Sequence, residues 1–283
     1  MQGQVYRASS DSYIVNINRK SVKCKARGIL KIKSDGICVG DYVEVDGGVI
    51  TKVLERKNKF VRPNVSNVDL IVAVISPEPK PDYYLIDKLY LNAVKEDVEM
   101  VIAVNKTDIN PMLFDEIKKE YGGLGINVFS LCAQTGEGVD YLKSLVNGKL
   151  TVLAGQSAVG KTSIINSAFS LNLLTGSVSE KILRGKHTTT KSEIFEINGV
   201  RLIDSPGFAV IDAMVSVEEL PDCYPEYLKV ACECKFRGCK HVSEPDCKVK
   251  ELVKNGELSA QRYGRYVEIY NEISSRRVTY EKN

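Results

Sequence analysis

No apolar run in this sequence approaches the roughly 18 residues that a membrane-spanning helix requires. Residues 1–5 lack the basic-then-apolar start of an export signal. The expectation is a soluble, cytoplasmic chain without a membrane role. Glycine and proline are limited to 21 and 9 of 283 residues, with no internal repeat or low-complexity tract, which excludes collagen-like and disordered compositions. With 43% hydrophobic and 27% charged residues, the chain can bury a sizeable core and is long enough for more than one domain. Histidine is scarcer still, at two. Eight cysteines are present, four of them alone (Cys24, Cys38, Cys132, Cys223) and four within residues 232–247 beside one of the two histidines. That clustering, without an export signal, favours a bound metal over disulfides.

A net charge of +3 conceals a polarity along the chain. Residues 1–62 hold 13 Lys and Arg against 6 Asp and Glu, residues 63–220 hold 14 against 20, and residues 221–283 hold 12 against 10. A basic first segment on an acidic middle points to a nucleic-acid contact near the N-terminus, a solvated lysine-rich face being the alternative.

Residues 5–6, 13–17, 22–25, 42–45 and 49–53 are β-rich, and Asp46-Gly47-Gly48 marks a tight hairpin. Five short strands without helical periodicity predict a small barrel of OB or SH3-like type. From about residue 63 the pattern changes. Apolar runs at 69–75, 99–104, 126–131 and 150–154 alternate with helical spacing over 82–98, from Asn110-Pro111 to Tyr121, and over 139–146. Strands alternating with helices predict a parallel sheet covered on both faces. Residues 193–197 and 200–203 flank Asn198-Gly199, a hairpin signal, and a last helix is expected over 259–274. Tyr263, Tyr266 and Tyr270 lie at helical spacing there and read as core.

The sharpest chemical signal is Gly155-Gln156-Ser157-Ala158-Val159-Gly160-Lys161-Thr162, a GxxxxGK[ST] loop between an apolar strand and a helix starting near Lys161. Its backbone N–H groups, extended by Ser163, would wrap phosphates at a helix N-terminus, with the Lys161 ammonium on the outer ones and the Thr162 hydroxyl on Mg²⁺. Asn105-Lys106-Thr107-Asp108 ends the strand at 99–104 and selects the base. A carboxylate at Asp108 accepts both the N1–H and the exocyclic amine of guanine, an arrangement adenine cannot offer. Asn105 and the Lys106 stem would hold the ring from its sides. Asp204-Ser205-Pro206-Gly207 closes another strand, placing Asp204 towards Mg²⁺ and the Gly207 N–H towards the γ-phosphate. Between these, residues 184–190 offer Thr188, Thr189 and Thr190 as the hydroxyl that closes over Mg²⁺; Thr189 is favoured and the triplet leaves the choice open. The guanine motif precedes the phosphate loop by some 50 residues, the reverse of the usual order, so the reading is a circularly permuted G domain whose chain leaves the sheet directly behind the γ-phosphate sensor.

NKTD, GQSAVGKT, HTTT and DSPGF, preceded by a small β-domain and followed by Cys-x4-Cys-x-His-x5-Cys, resemble the bacterial ribosome small-subunit-dependent GTPase A (RsgA) family over almost the whole chain. The sequence departs at Ala158, where glycine is usual, at Ser205, where threonine is usual, and at Cys132-Ala133, where Ser-Ala is usual. The Ala133 N–H would still reach the guanine carbonyl beside Cys132. Phe208 occupies the place of a water-orienting glutamine, so the resemblance implies a slow intrinsic hydrolase with His187 as catalytic candidate, an imidazole able to accept a hydrogen bond from water. It also selects Cys234, Cys239, His241 and Cys247, rather than the neighbouring Cys232, as ligands of one structural zinc. The expected architecture is an OB-like RNA-binding barrel (1–62), a central α/β circularly permuted P-loop GTPase domain (63–220) and a zinc-binding helical module (221–283). The implied activity is GTP hydrolysis with Mg²⁺ as cofactor, by a monomer docked on the small ribosomal subunit and its rRNA during late assembly. The alternatives are an RNA-binding scaffold that holds GTP or GDP without turnover, and a small-molecule P-loop kinase, which leaves NKTD unexplained.

Overall fold

The computed structural model describes residues 1–9, 11–28, 30, 36–171 and 192–280. Strands β1 (Gln2–Ala8), β2 (Tyr13–Ile17), β3 (Lys20–Ala26), β4 (Tyr42–Asp46) and β5 (Val49–Val53) form the expected barrel. Their order is β1-β2-β3-β5-β4 and back to β1, with β3 and β5 parallel and the other pairs antiparallel. This Greek-key closure decides between the two barrel types in favour of the OB arrangement. Alternate residues Val5, Val15, Ile17, Val43, Val45 and Ile50 fill the interior. Strand β1 is longer than its apolar pattern because pairing on both edges recruits polar Gln2 and Gln4. A Cβ at Gly3, between those edges, would lie 2.6 Å from the Asn16 carbonyl oxygen.

A linker follows, with the short pair β6 (Lys59–Phe60) and β7 (Val65–Ser66). Buried Asp41 clasps it to the barrel, accepting from Arg56 Nε at 2.6 Å, Ser66 Oγ at 2.6 Å and the Cys38 N–H at 2.7 Å. A buried carboxylate so fully bonded is held rigidly.

Strands β8 (Leu70–Ile75), β9 (Glu99–Val104), β10 (Asn127–Ser130), β11 (Leu150–Ala154), β12 (Glu193–Ile197) and β13 (Val200–Asp204) build the central sheet in the order β10-β9-β8-β11-β13-β12. All pairs are parallel except β12 with β13, which are joined through left-handed Asn198 and Gly199 as the hairpin signal predicts. Helices α1 (Tyr83–Lys95) and α2 (Met112–Tyr121) cover one face, α3 (Val139–Val146) and α4 (Lys161–Phe169) the other. β8 shows why its run is unbroken: Ile71, Ala73 and Ile75 pack with α1 and α2, while Leu70, Val72 and Val74 pack with α3 and α4. Asp82 caps α1, its Oδ1 accepting from the Leu85 N–H at 2.9 Å.

The last region holds α5 (Pro225–Leu228), α6 (Lys248–Lys254) and α7 (Ala260–Tyr280). α7 runs beyond the expected residue 274, and α6 is too short to have shown a period. Tyr266 is fully buried, with Tyr263 and Tyr270 half-buried against the same cluster, as their spacing predicts. The module seats on α1 through a buried ionic network: Asp87 accepts from Arg262 Nη1 at 2.7 Å and from Arg265, which also reaches Glu120 at 2.6 Å. Among the described residues no helix is long and apolar enough to cross a membrane.

Candidate functional site

Two loops far apart in sequence meet at the C-terminal ends of two strands that flank β8. β9 delivers Asn105 to Asp108, and β11 delivers the phosphate loop, with β8 between them. The Asn105 amide donates to the Val159 carbonyl at 2.8 Å and its Oδ1 accepts from the Ala133 N–H at 3.3 Å. Lys106 Nζ donates to the Ala158 carbonyl at 2.8 Å and to Glu78 at 2.6 Å. These bonds lock the Asn105–Asp108 loop onto the phosphate loop. The approach is close enough to demand glycine: a Cβ at Gly160 (φ +98°) would lie 2.3 Å from Asn105 Nδ2, and one at Gly155 (φ +140°) would lie 2.3 Å from the Val74 carbonyl oxygen. Ala158 holds φ +65°, a left-handed conformation that costs a residue with a side chain about 1 kcal/mol.

Asp108 is exposed at the mouth of the loop, where a purine edge can reach it. The buried Cys132 thiol donates to Asp108 Oδ1 at 3.1 Å, and the Thr107 hydroxyl donates to the Leu131 carbonyl at 3.4 Å. Gln156, Ser157, Thr162 and Ser163 line the turn and first helical residues, half-buried or exposed. Lys161 Nζ folds onto its own loop, donating to the Gly155 and Gln156 carbonyls at 2.7 and 2.6 Å. Burial lowers its pKa and the Asp204 carboxylate raises it, so the two side chains share one electrostatic site. An ammonium held among carbonyls, a hydroxyl at Thr162 and a carboxylate at the end of β13 make a donor set that fits a nucleotide phosphate with Mg²⁺.

Gly207 and Phe208 lie in a single 3₁₀ turn, Pro206–Ala209, behind Asp204. Phe208 is buried and meets Phe60 of β6 edge to face at 5.6 Å. It points into the core and polarises no water. His187, Thr188, Thr189, Thr190 and Arg184 lie outside the described residues.

The second constellation gathers Cys234, Cys239, His241 and Cys247, whose ligand atoms all lie within 4.8 Å of one another. His241 Nδ1 sits 3.3 Å from the Cys247 sulfur and 3.7 Å from that of Cys234. Burial pushes the His241 pKa down, keeping the ring in the neutral form that ligates metal. Tyr263 donates to the His241 carbonyl at 2.8 Å, so α7 braces the group from behind. Cys232 is exposed and stands outside the group. Three thiols and an imidazole at this spacing fit a tetrahedral zinc.

Sequence spacing had no signal for three contacts here: the Phe60–Phe208 pair, the Glu78 carbonyl on Lys106, and Arg7 of β1 ion-paired with Glu193 of β12. Each joins residues brought together only by the fold.

An NKTD loop and a phosphate loop in reversed chain order on one parallel sheet, fused to an OB barrel and a Cys3His module, define a circularly permuted P-loop G protein. The family model for the RsgA GTPase matches residues 53–214 and that for the RsgA N-terminal domain matches residues 2–49. A small ribosomal subunit biogenesis GTPase RsgA from Agathobacter rectalis is 38% identical over 90% of this chain and 88% of its own. The crystal structure of YjeQ from Thermotoga maritima superposes with a TM-score of 0.78 at 33% identity, covering 96% of this chain and 98% of that one. That of YloQ, a circularly permuted GTPase, gives 0.74 at 29% identity, covering 97% and 95%. The chain belongs to the RsgA GTPase family.

Proposed function

We propose that this protein hydrolyses GTP to GDP and phosphate in small ribosomal subunit biogenesis, working as a cytoplasmic monomer whose turnover rises when it docks on that subunit. The observation that carries the reading is the junction of the two loops, in which Asn105 bonds to Val159 and Gly160 packs against Asn105. It gives one pocket both a guanine reader and a phosphate cradle. Asp108 accepts from the purine edge while Asn105, Lys106 and Ala133 fix the ring. Lys161 exchanges its loop carbonyls for the β- and γ-phosphates, and residues 155–163 supply N–H donors. Thr162, Thr189 and Asp204 are the residues that would hold Mg²⁺, which when bound neutralises phosphate charge. With Phe208 buried, the side chain that orients water must come from elsewhere, and His187 is the candidate.

The rRNA contact falls to the barrel. Arg19 and Lys20 at the β2–β3 turn, then Lys23, Lys25 and Arg27, are all exposed along one strand and its continuation, a row suited to a phosphate backbone. Cys234, Cys239, His241 and Cys247 hold one structural zinc, for which metal analysis of the purified protein should give one equivalent per chain. Divisions near residues 62 and 220 separate barrel, G domain and zinc module. Phosphate release measured with and without purified small subunits tests the function. Strong stimulation supports the enzyme, and binding without turnover in either condition favours the guanine-nucleotide scaffold.

A further inference from the structure

Among the described residues, the barrel pairs with the central sheet strand to strand through β1, which runs antiparallel to β12 with Arg7 opposite Glu193. β12 in turn sets Glu193 opposite Asp204 on β13. Three strands therefore carry Arg7, Glu193 and Asp204 side by side, a cation and two anions in a row that starts in the barrel and ends at the proposed magnesium carboxylate. Arg7 Nη2 is ion-paired to Glu193 Oε1, and Glu193 is 8% exposed. One residue further along, the Ser192 hydroxyl donates to the Ser205 hydroxyl at 2.8 Å, so the two strands stay in register up to the site.

Two carboxylates side by side, Glu193 buried and Asp204 half-buried, repel, and each needs a counter-charge. Asp204 has Lys161 and, with nucleotide, Mg²⁺ in its field. Glu193 has Arg7, which belongs to another domain. We propose that Arg7 and Glu193 are positioning residues for the cation edge of the nucleotide site: Arg7 neutralises Glu193, and this balance sets how strongly Asp204 and its neighbours hold Mg²⁺. This rests on the reading of Asp204 as a magnesium residue. It gives the barrel a direct electrostatic line to the nucleotide, because any shift of β1 that weakens the pair uncovers a negative charge beside Asp204.

Charge deletion separates this role from that of a mechanical clasp. Arg7→Met leaves Glu193 uncompensated and lowers the Mg²⁺ concentration that half-maximally slows GDP release. Glu193→Gln leaves Arg7 uncompensated and raises it. Each shift is about threefold or more at low salt, given the strength of a unit charge at this range in a partly wet site. Arg7→Lys, which keeps the charge, and the double variant Arg7→Met/Glu193→Gln, which removes both charges, stay near the unmodified protein. The experiment follows release of a fluorescent GDP from the full chain at pH 8 across a Mg²⁺ titration, with release in chelator as the metal-free baseline. Opposite shifts in the two single variants support the proposal. Shifts in the same direction, or none, overturn it while leaving the nucleotide site intact. Release from the unmodified protein that ignores Mg²⁺ would instead remove the reading of Asp204, and this inference with it.

Discussion

On the reading proposed above, Asp108 selects the base from an exposed position. The Cys132 thiol donates to one of its oxygens at 3.1 Å and leaves the other oxygen available as an acceptor. Asp108→Asn keeps the shape but replaces one acceptor by a donor, so the guanine amine loses its partner while a carbonyl at the same ring position gains one. Competition titration should show GTP affinity falling about 100-fold and xanthosine triphosphate improving relative to it. Unchanged preference would remove Asp108 from recognition. At this scale the sequence was most readable, because NKTD and the phosphate loop are short strings whose chemistry is local. Arg7 and Glu193, far apart along the chain, form a pair that no string contains. Cys234 was chosen over Cys232 only by family spacing; in the structure Cys234 lies within the Cys/His group and Cys232 is exposed.

Among elements, the continuous apolar run of β8 is explained by helices on both its faces, and the short strands of the barrel by their alternating interior. Apolar periodicity made both legible. β6 and β7, of two residues each, and α6 gave no such signal, since their positions come from tertiary contacts. β6 nevertheless holds the turn behind Asp204 through Phe60 and Phe208. Phe208→Ala opens a cavity at this junction and should cost about 3–5 kcal/mol of stability, read by denaturant unfolding. A loss below about 1 kcal/mol would mean that the ring anchors nothing.

At the scale of the whole molecule, the C-terminal Cys/His module is fastened to the G domain by charges on α7. Glu272 contacts Tyr84, Lys88 and Arg276, the Lys88 bond being 2.9 Å. Burial pushes its pKa up, but these partners together hold it below the ordinary 4.5. A carboxyl depressed on folding stabilises the protein fully above its unfolded value, and that contribution disappears as pH falls through the folded one. Glu272→Gln should therefore lower Tm at pH 7 by roughly 2–4 °C, with the gap closing as pH falls below the ordinary carboxylate value, as followed by calorimetry. A gap constant with pH would deny the ionic seat. The three-part architecture was visible in composition and motif order. The docking network of Asp87, Arg262 and Arg265 was not, because nothing in the sequence pairs residues some 175 positions apart. The account stands on two loops in permuted order forming one guanine-nucleotide pocket, and calorimetric titration of the full chain with GTP and with ATP in Mg²⁺ tests this most directly. GTP should bind at least about 100-fold more tightly than ATP, and equal affinities for the two would contradict the account.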